Sequence, residues 1–255
     1  ALAGQNQLIY YDRRSRRFKG ELEEEGVVND ILPSSNDDSF ILSIESSLTP
    51  AQYYHYYIGA SKELSKTTRL PINPPLAKRE DYVIQSDYIL IDDQPIYFDV
   101  TARKDALEKG PAPTFFSAYG DSGLLTKVSY LPDLRPGWVD EGGIFVYIHP
   151  RGGGVHKHWP YIGEPSAIER RQITIDDIMA VITHLVEQGV ADPDALHIGG
   201  TSAGGYYAVT TALQNPGIFS SAVAEAGCFD PNVEGDACGH SLLPPLAAEI
   251  EMNGP

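Results

Sequence analysis

Apolar and polar positions follow two different rhythms along this chain. Up to residue 70 the apolar and aromatic residues come in short runs: "QLIYYD", "FILSIESS" and "QYYHYYI". Turn-prone or charged stretches separate them: "RRSRR", "SSNDD" and "ASKELSK". Such runs predict short strands, and no helical period of useful length accompanies them. The proline-rich "PINPPLAK" after them reads as a connector and places a domain boundary near residue 71. "DYVIQSDYILIDDQPIYFDVTAR" again predicts strands. Beyond residue 110 the rhythm alternates. "PTFFSAYG" predicts a strand running into a loop, and "GGIFVYIHP" holds an apolar strand core from Ile144 to Ile148. "TIDDIMAVITHLVEQG" predicts a helix, "ALHIGG" a strand, "AGGYYAVTTALQNP" a helix and "SSAVAEAG" a strand. Strand and helix in alternation predict a parallel sheet covered on both faces.

The first of these helices has the clearest pattern. Ile175, Ile178, Met179, Ile182, Leu185 and Val186 fall on one stripe at helical spacing. Thr174 is placed to cap its start, with Asp177 three residues on reaching back to the backbone. Asp176 and Asp177 suit the positive end of the helix dipole. Gly189 suits the left-handed residue that closes it.

Composition narrows the classes. The chain has 255 residues, 42% of them apolar, enough for a sizeable core. A formal charge of −16 argues against binding nucleic acid or an anionic membrane surface. No apolar run approaches the length of a membrane span. Cys228 and Cys238 are the only cysteines, so no disulfide framework is implied; one bridge between them is conceivable, and two free thiols is the favoured reading. Free thiols point to a reducing compartment, the cytoplasm. The start "ALAG", without methionine, reads as trimmed and leaves the periplasm or secretion open.

The chemistry concentrates in "GGTSAGG". Gly200, Ser202 and Gly204 fit the G-x-S-x-G pattern, with a strand predicted before it and a helix after it. In that context the turn is sharp and the serine backbone strained. Side chains two residues to either side would collide with neighbouring backbone, so glycine stands there. The turn lifts the Ser202 hydroxyl above the sheet and aims the Ala203 N–H at the place where an oxyanion would form.

At these residues the sequence resembles the prolyl oligopeptidase family of serine peptidases. "SFILSIESSLTPAQYYHYYIGASKE" is similar to the last propeller strands before the catalytic domain, and "GPAPTFFSAYG" to the strand leading to an oxyanion tyrosine. "RGGG" at 151–154 resembles the arginine-glycine loop. "TIDDIMAVITHLVEQGVADPDALHIGGTSAGG" matches the Asp-Asp helix, the next strand and the nucleophile elbow in order. The resemblance implies an α/β fold: part of an α/β-hydrolase sheet over 71–255, preceded by β-propeller strands over 1–70. It implies hydrolysis of short peptides, with Ser202 acylated and Tyr119 donating to the oxyanion beside Ala203. Arg151 falls at the rim of the site, paired to a carboxylate. No cofactor is implied.

The sequence departs from the family at three places. Asp121 and Ser122 stand where a glycine and an aromatic residue usually line the proline pocket. Ala203 stands where many members have asparagine, and "VHKHWP" replaces a glutamate-aromatic-glycine run. The proline preference is therefore not carried over.

A serine nucleophile needs a base and an orienting acid, which in this fold come later in the chain. Residues 203–255 hold a single histidine, His240. The chain is thus expected to be an internal portion of a longer enzyme, inactive alone. Two alternatives stand beside that expectation: a non-catalytic binding module, and an esterase with a local triad of Ser202, Asp230 and His240. His149, His156 and His158 have a metal-like spacing, but no further ligand cluster accompanies them, and no metal is expected. The glycines there fit no phosphate-binding loop.

Overall fold

The computed structural model describes residues 9–12, 17–21, 27–33, 39–58, 64–70, 79–126, 130, 134–156, 167–227 and 229. The chain divides into two units, residues 1–82 with 127–137, and residues 83–126 with 138–255.

The first unit is antiparallel. β1 (Ile9–Asp12) pairs with β2 (Arg17–Glu21). β3 (Val27–Pro33), β4 (Ser39–Glu45), β5 (Gln52–Ile58) and β6 (Leu64–Leu70) form a four-stranded meander in chain order. Its core is small: Leu42, Ile44 and Tyr56 are buried, and the Phe40 and Tyr56 rings stack at 5.4 Å. β2, β3 and β6 were not legible in the sequence; β2 begins in the charged stretch read as a turn. "LSKTTRL" carries too few apolar residues to stand out, and "VVNDILP" breaks its alternation with "ND".

The second unit holds the larger sheet. β7 (Tyr82–Ile91) and β8 (Gln94–Arg103) are consecutive strands whose connecting turn puts Asp92 and Asp93 at positive φ, as a tight hairpin turn demands. A short helix, α1 (Lys104–Glu108), leads to β9 (Ala112–Ala118) and β10 (Ile144–His149). Then come α2 (Ala167–Glu187), β11 (Ala191–Thr201), α3 (Ala203–Gln214) and β12 (Ser221–Glu225). The strand order is β12-β11-β9-β10-β8-β7. β12, β11, β9 and β10 run parallel, while β8 is antiparallel to β10, so the expected parallel sheet is mixed at one edge.

Side-chain alternation explains the core. Ile96, Phe98 and Val100 of β8, Phe116 of β9, Ile144, Val146 and Ile148 of β10 and Ile198 of β11 share one face. Ile175, Ile178, Ile182 and Leu185 of α2 and Tyr207 and Ala208 of α3 complete the same cluster. Each isoleucine buried there contributes about 1.5–3 kcal/mol. Among the described residues both long helices therefore cover one face, not two.

The C-terminus of α2 takes the expected form. Gly189 has φ +69°, its N–H reaches Val186 O, and Val190 N–H reaches Leu185 O. The start does not. Ala167 begins α2 two turns before Thr174, so Thr174 and Asp177 lie inside the helix and cap nothing.

Candidate active site

The segment between β11 and α3 is a kink. Ser202 sits at φ 57°, ψ −125°, a conformation that costs a non-glycine residue about 1–3 kcal/mol. Its surroundings hold it there. Ser202 N–H donates to Glu225 O of β12 at 2.8 Å, and Ser202 O accepts from Gly205 and Tyr206. A Cβ on Gly200 would lie 2.5 Å from the Gly204 carbonyl carbon, and one on Gly204 would strike Ala118 O. The two elbow glycines thus let α3 begin directly against β11 and against the end of β9. Ser202 is half-buried, and among the described residues none bonds its hydroxyl. The first backbone N–H groups of α3, that of Ala203 among them, lie outside the helical ladder and point where negative charge is favoured.

Tyr119 comes directly after β9. Ser117 is in register with Gly199, so the C-terminal ends of β9 and β11 finish side by side, with Tyr119 beside the kink. Clefts beyond the C-terminal ends of parallel strands are where such sheets place their chemistry. Gly204 closes against the backbone of Ala118 and Tyr119, which brings Tyr119, Ser202 and Ala203 to one place.

A second loop, residues 150–154, adjoins the first. Arg151 is buried and finds its carboxylate in Asp177 of α2: Nη2 reaches Oδ1 at 2.6 Å and Nε reaches Oδ2 at 2.9 Å. Arg151 N–H also donates to Asp177 Oδ2, at 2.9 Å. The Thr174 hydroxyl donates to Arg151 O at 2.7 Å. The Asp177 hydrogen bonds hold the Arg151 guanidinium pKa above its usual value, and the exposed Asp92 adds to this from 3.7 Å. Gly123 N–H donates to Gly152 O at 3.0 Å, and Gly154 N–H to Leu124 O at 2.9 Å. The loop after Tyr119 therefore rests on the loop after Arg151.

Sequence reasoning missed a third feature. His149 Nε2 lies 2.7 Å from Asp99 Oδ2, with both side chains buried, and Ser86 Oγ donates to Asp99 Oδ1. His156 donates Nε2–H to His149 O at 3.1 Å. Burial pushes the His156 pKa down despite that bond, and pushes the Tyr147 and Tyr207 hydroxyls up. His149 thus meets a carboxylate, and His156 a backbone carbonyl. His158, Asp230 and His240 lie outside the described residues.

Known proteins resemble this chain in sequence and in fold. A profile described as the prolyl oligopeptidase family matches residues 132–237. An uncharacterised peptidase of Sinorhizobium fredii is 27% identical over 219 residues, covering 84% of this chain and 29% of its own. A human protein named prolyl endopeptidase-like is 26% identical over 186 residues, covering 72% and 24%. The structure of prolyl oligopeptidase B from Galerina marginata bound to a 35mer hydrolysis and macrocyclisation substrate shares the fold. It superposes with a TM-score of 0.72 at 22% identity, over 88% of this chain and 32% of that one. The chain spans less than a third of the length of these relatives.

Proposed function

We propose that this chain, whose residues 132–237 match the prolyl oligopeptidase family profile, is a segment of a serine peptidase of that family acting on short peptides through an acyl-enzyme on Ser202. The observation that carries the reading is the backbone of Ser202, held at φ 57° between a strand and a helix by Gly200 and Gly204. A strained turn persists where the surrounding structure over-determines it, and such turns cluster at reacting residues.

In this reading the Ser202 oxygen attacks the scissile carbonyl and gives its proton to the base, which passes it to the departing amine as the C–N bond breaks; water then releases the acyl group by the same route. The developing oxyanion is met by the Ala203 N–H and the Tyr119 O–H. A phenol suits the second position, because it is neutral at pH 7 and packing can fix its direction. The base and its orienting acid come from the rest of the parent. The same reading takes residues 1–70 as the end of a β-propeller and 71–255 as the first portion of the hydrolase domain. The compartment proposed is the cytoplasm. Among the described residues no helix is long and apolar enough to cross a membrane.

The test uses the full-length protein. A fluorophosphonate probe is expected to label Ser202, and Ser202→Ala to abolish both labelling and peptide hydrolysis. Burst kinetics retained by Ser202→Ala would refute the nucleophile. An intact fold without labelling would favour the binding module. Labelling of residues 1–255 expressed alone would favour the local triad.

A further inference from the structure

Asp177 is fully buried, and every hydrogen bond the structure gives its carboxylate comes from Arg151. Thr174, one helical turn earlier on the same face of α2, takes the Arg151 carbonyl. Both peptide groups that flank the Arg151 Cα are thus held by side chains of one helix. Arg151 is not free to turn, and Gly152 beyond it inherits its position.

That position is passed on by backbone contacts. Gly152 lies at φ +104°, and a Cβ there would run into Gly120 O. A Cβ on Gly120 would meet the Pro150 ring and the Thr174 methyl, each at 2.7 Å. The Gly123–Gly152 and Gly154–Leu124 hydrogen bonds close the remaining freedom. Gly120 is bonded directly to Tyr119. The chain of contact therefore runs from α2 through Arg151 and Gly152 to the residue beside the proposed oxyanion donor.

We infer that Asp177 is a positioning residue for Tyr119: its carboxylate fixes Arg151, and through the 150–154 loop fixes where the phenol points. The inference rests on the proposed donor role of Tyr119. A buried ion pair of this kind commonly adds little net stability over an apolar pair of the same volume, so its use here is geometric. A displaced donor is costly, because misplacing a catalytic group by about 1 Å loses roughly 10²-fold in rate.

A kinetic double-mutant cycle in the full-length protein tests this, with Asp177→Asn, Tyr119→Phe and the double variant compared on a peptide substrate. Asp177→Asn is expected to lower kcat about 10- to 100-fold with KM changed less than about threefold, the signature of an interaction made in the transition state. In the Tyr119→Phe background the same substitution is expected to cost less than about threefold. If Tyr119→Phe is slowed but the two losses multiply, the inference falls alone. If Tyr119→Phe keeps full kcat, the donor reading falls and takes this inference with it. Should Asp177→Asn fail to fold, Thr174→Val replaces it in the cycle. That change deletes the bond to Arg151 O and keeps the shape. A several-fold loss of kcat that vanishes beside Tyr119→Phe is the expected result, and an equal loss in both backgrounds overturns it.

Discussion

Two glycine-rich loops meet the segment that carries Tyr119, and they are held by opposite means. The 199–205 turn is held by proximity. Gly200 sits on Gly204, Gly204 on Ala118, and Ser202 hangs from Glu225 by one backbone bond. Among the described residues no buried ion pair takes part, although the Thr201 hydroxyl donates to the exposed Glu225 carboxylate at 3.0 Å. The 150–154 loop is held by charge. Arg151 is gripped by a buried carboxylate 26 residues later in the chain. Both loops need glycine because backbone approaches backbone. They differ in what can be undone. A clash with a carbonyl can be relieved only by moving main chain, whereas a charge pair can be removed as a pair.

The largest expected effect comes from that difference. Arg151→Leu leaves Asp177 buried without its counter-charge, and the loss of stability is expected to be about 3–5 kcal/mol, read from the urea midpoint. Adding Asp177→Leu is expected to return stability to within about 1 kcal/mol of the starting protein. The double variant should nevertheless remain slow, since apolar contact does not restore the hydrogen bonds that fix the loop. A double variant as unstable as Arg151→Leu would show that the pair is not the anchor.

Gly204→Ala should cost less than Arg151→Leu, about 1–3 kcal/mol, but with no partner substitution that repairs it. The added methyl meets Ala118 O, so either α3 or β9 must shift. Because that shift displaces Ser202 relative to Tyr119, fluorophosphonate labelling is expected to slow more than stability falls. Unchanged labelling would mean that the elbow has slack the close contacts do not suggest.

The same contrast explains what could be read from the sequence. The elbow is local: glycines, serine, strand and helix all lie within a short window, so the pattern of residues implies the geometry. The C-terminus of α2 was legible for the same reason, through Gly189. The anchor of the other loop was not. Thr174 and Asp177 mimic a helix start, because a hydroxyl with an acid three residues later is also how two neighbours on one helical face look. Their shared partner lies elsewhere: Thr174 bonds Arg151 O as well as Arg170 O one turn back on α2, and Asp177 bonds Arg151. Nothing in the local residues tells the two apart. Asp99 and His149 are 50 residues apart and meet only because β8 and β10 are neighbours in register. The antiparallel hairpin at the sheet edge was legible as strands, but its pairing with β10 was not, because direction depends on the fold and not on the run of side chains.

The smallest expected effect concerns the charged loop alone, and it sharpens the contrast through pH. His156 is half-buried, bonds His149 O, and lies near Arg151 and His149, which oppose a further positive charge, and near Asp177, which favours one. Burial is the leading cause, and its pKa in the folded chain lies below the usual value. The unfolded chain therefore binds the proton first as pH falls. Stability is fully present above about pH 6.5, the ordinary histidine value, and declines as pH drops toward the folded pKa. Urea midpoints taken between about pH 7.5 and 5.5 stay above the ordinary carboxylate range, and comparison with His156→Gln separates this group from the other six histidines. His156→Gln is expected to flatten the slope there by less than one proton, while Gly204→Ala, which touches no charge, should shift the whole curve down without changing its slope. A slope unchanged by His156→Gln would place the titrating group elsewhere.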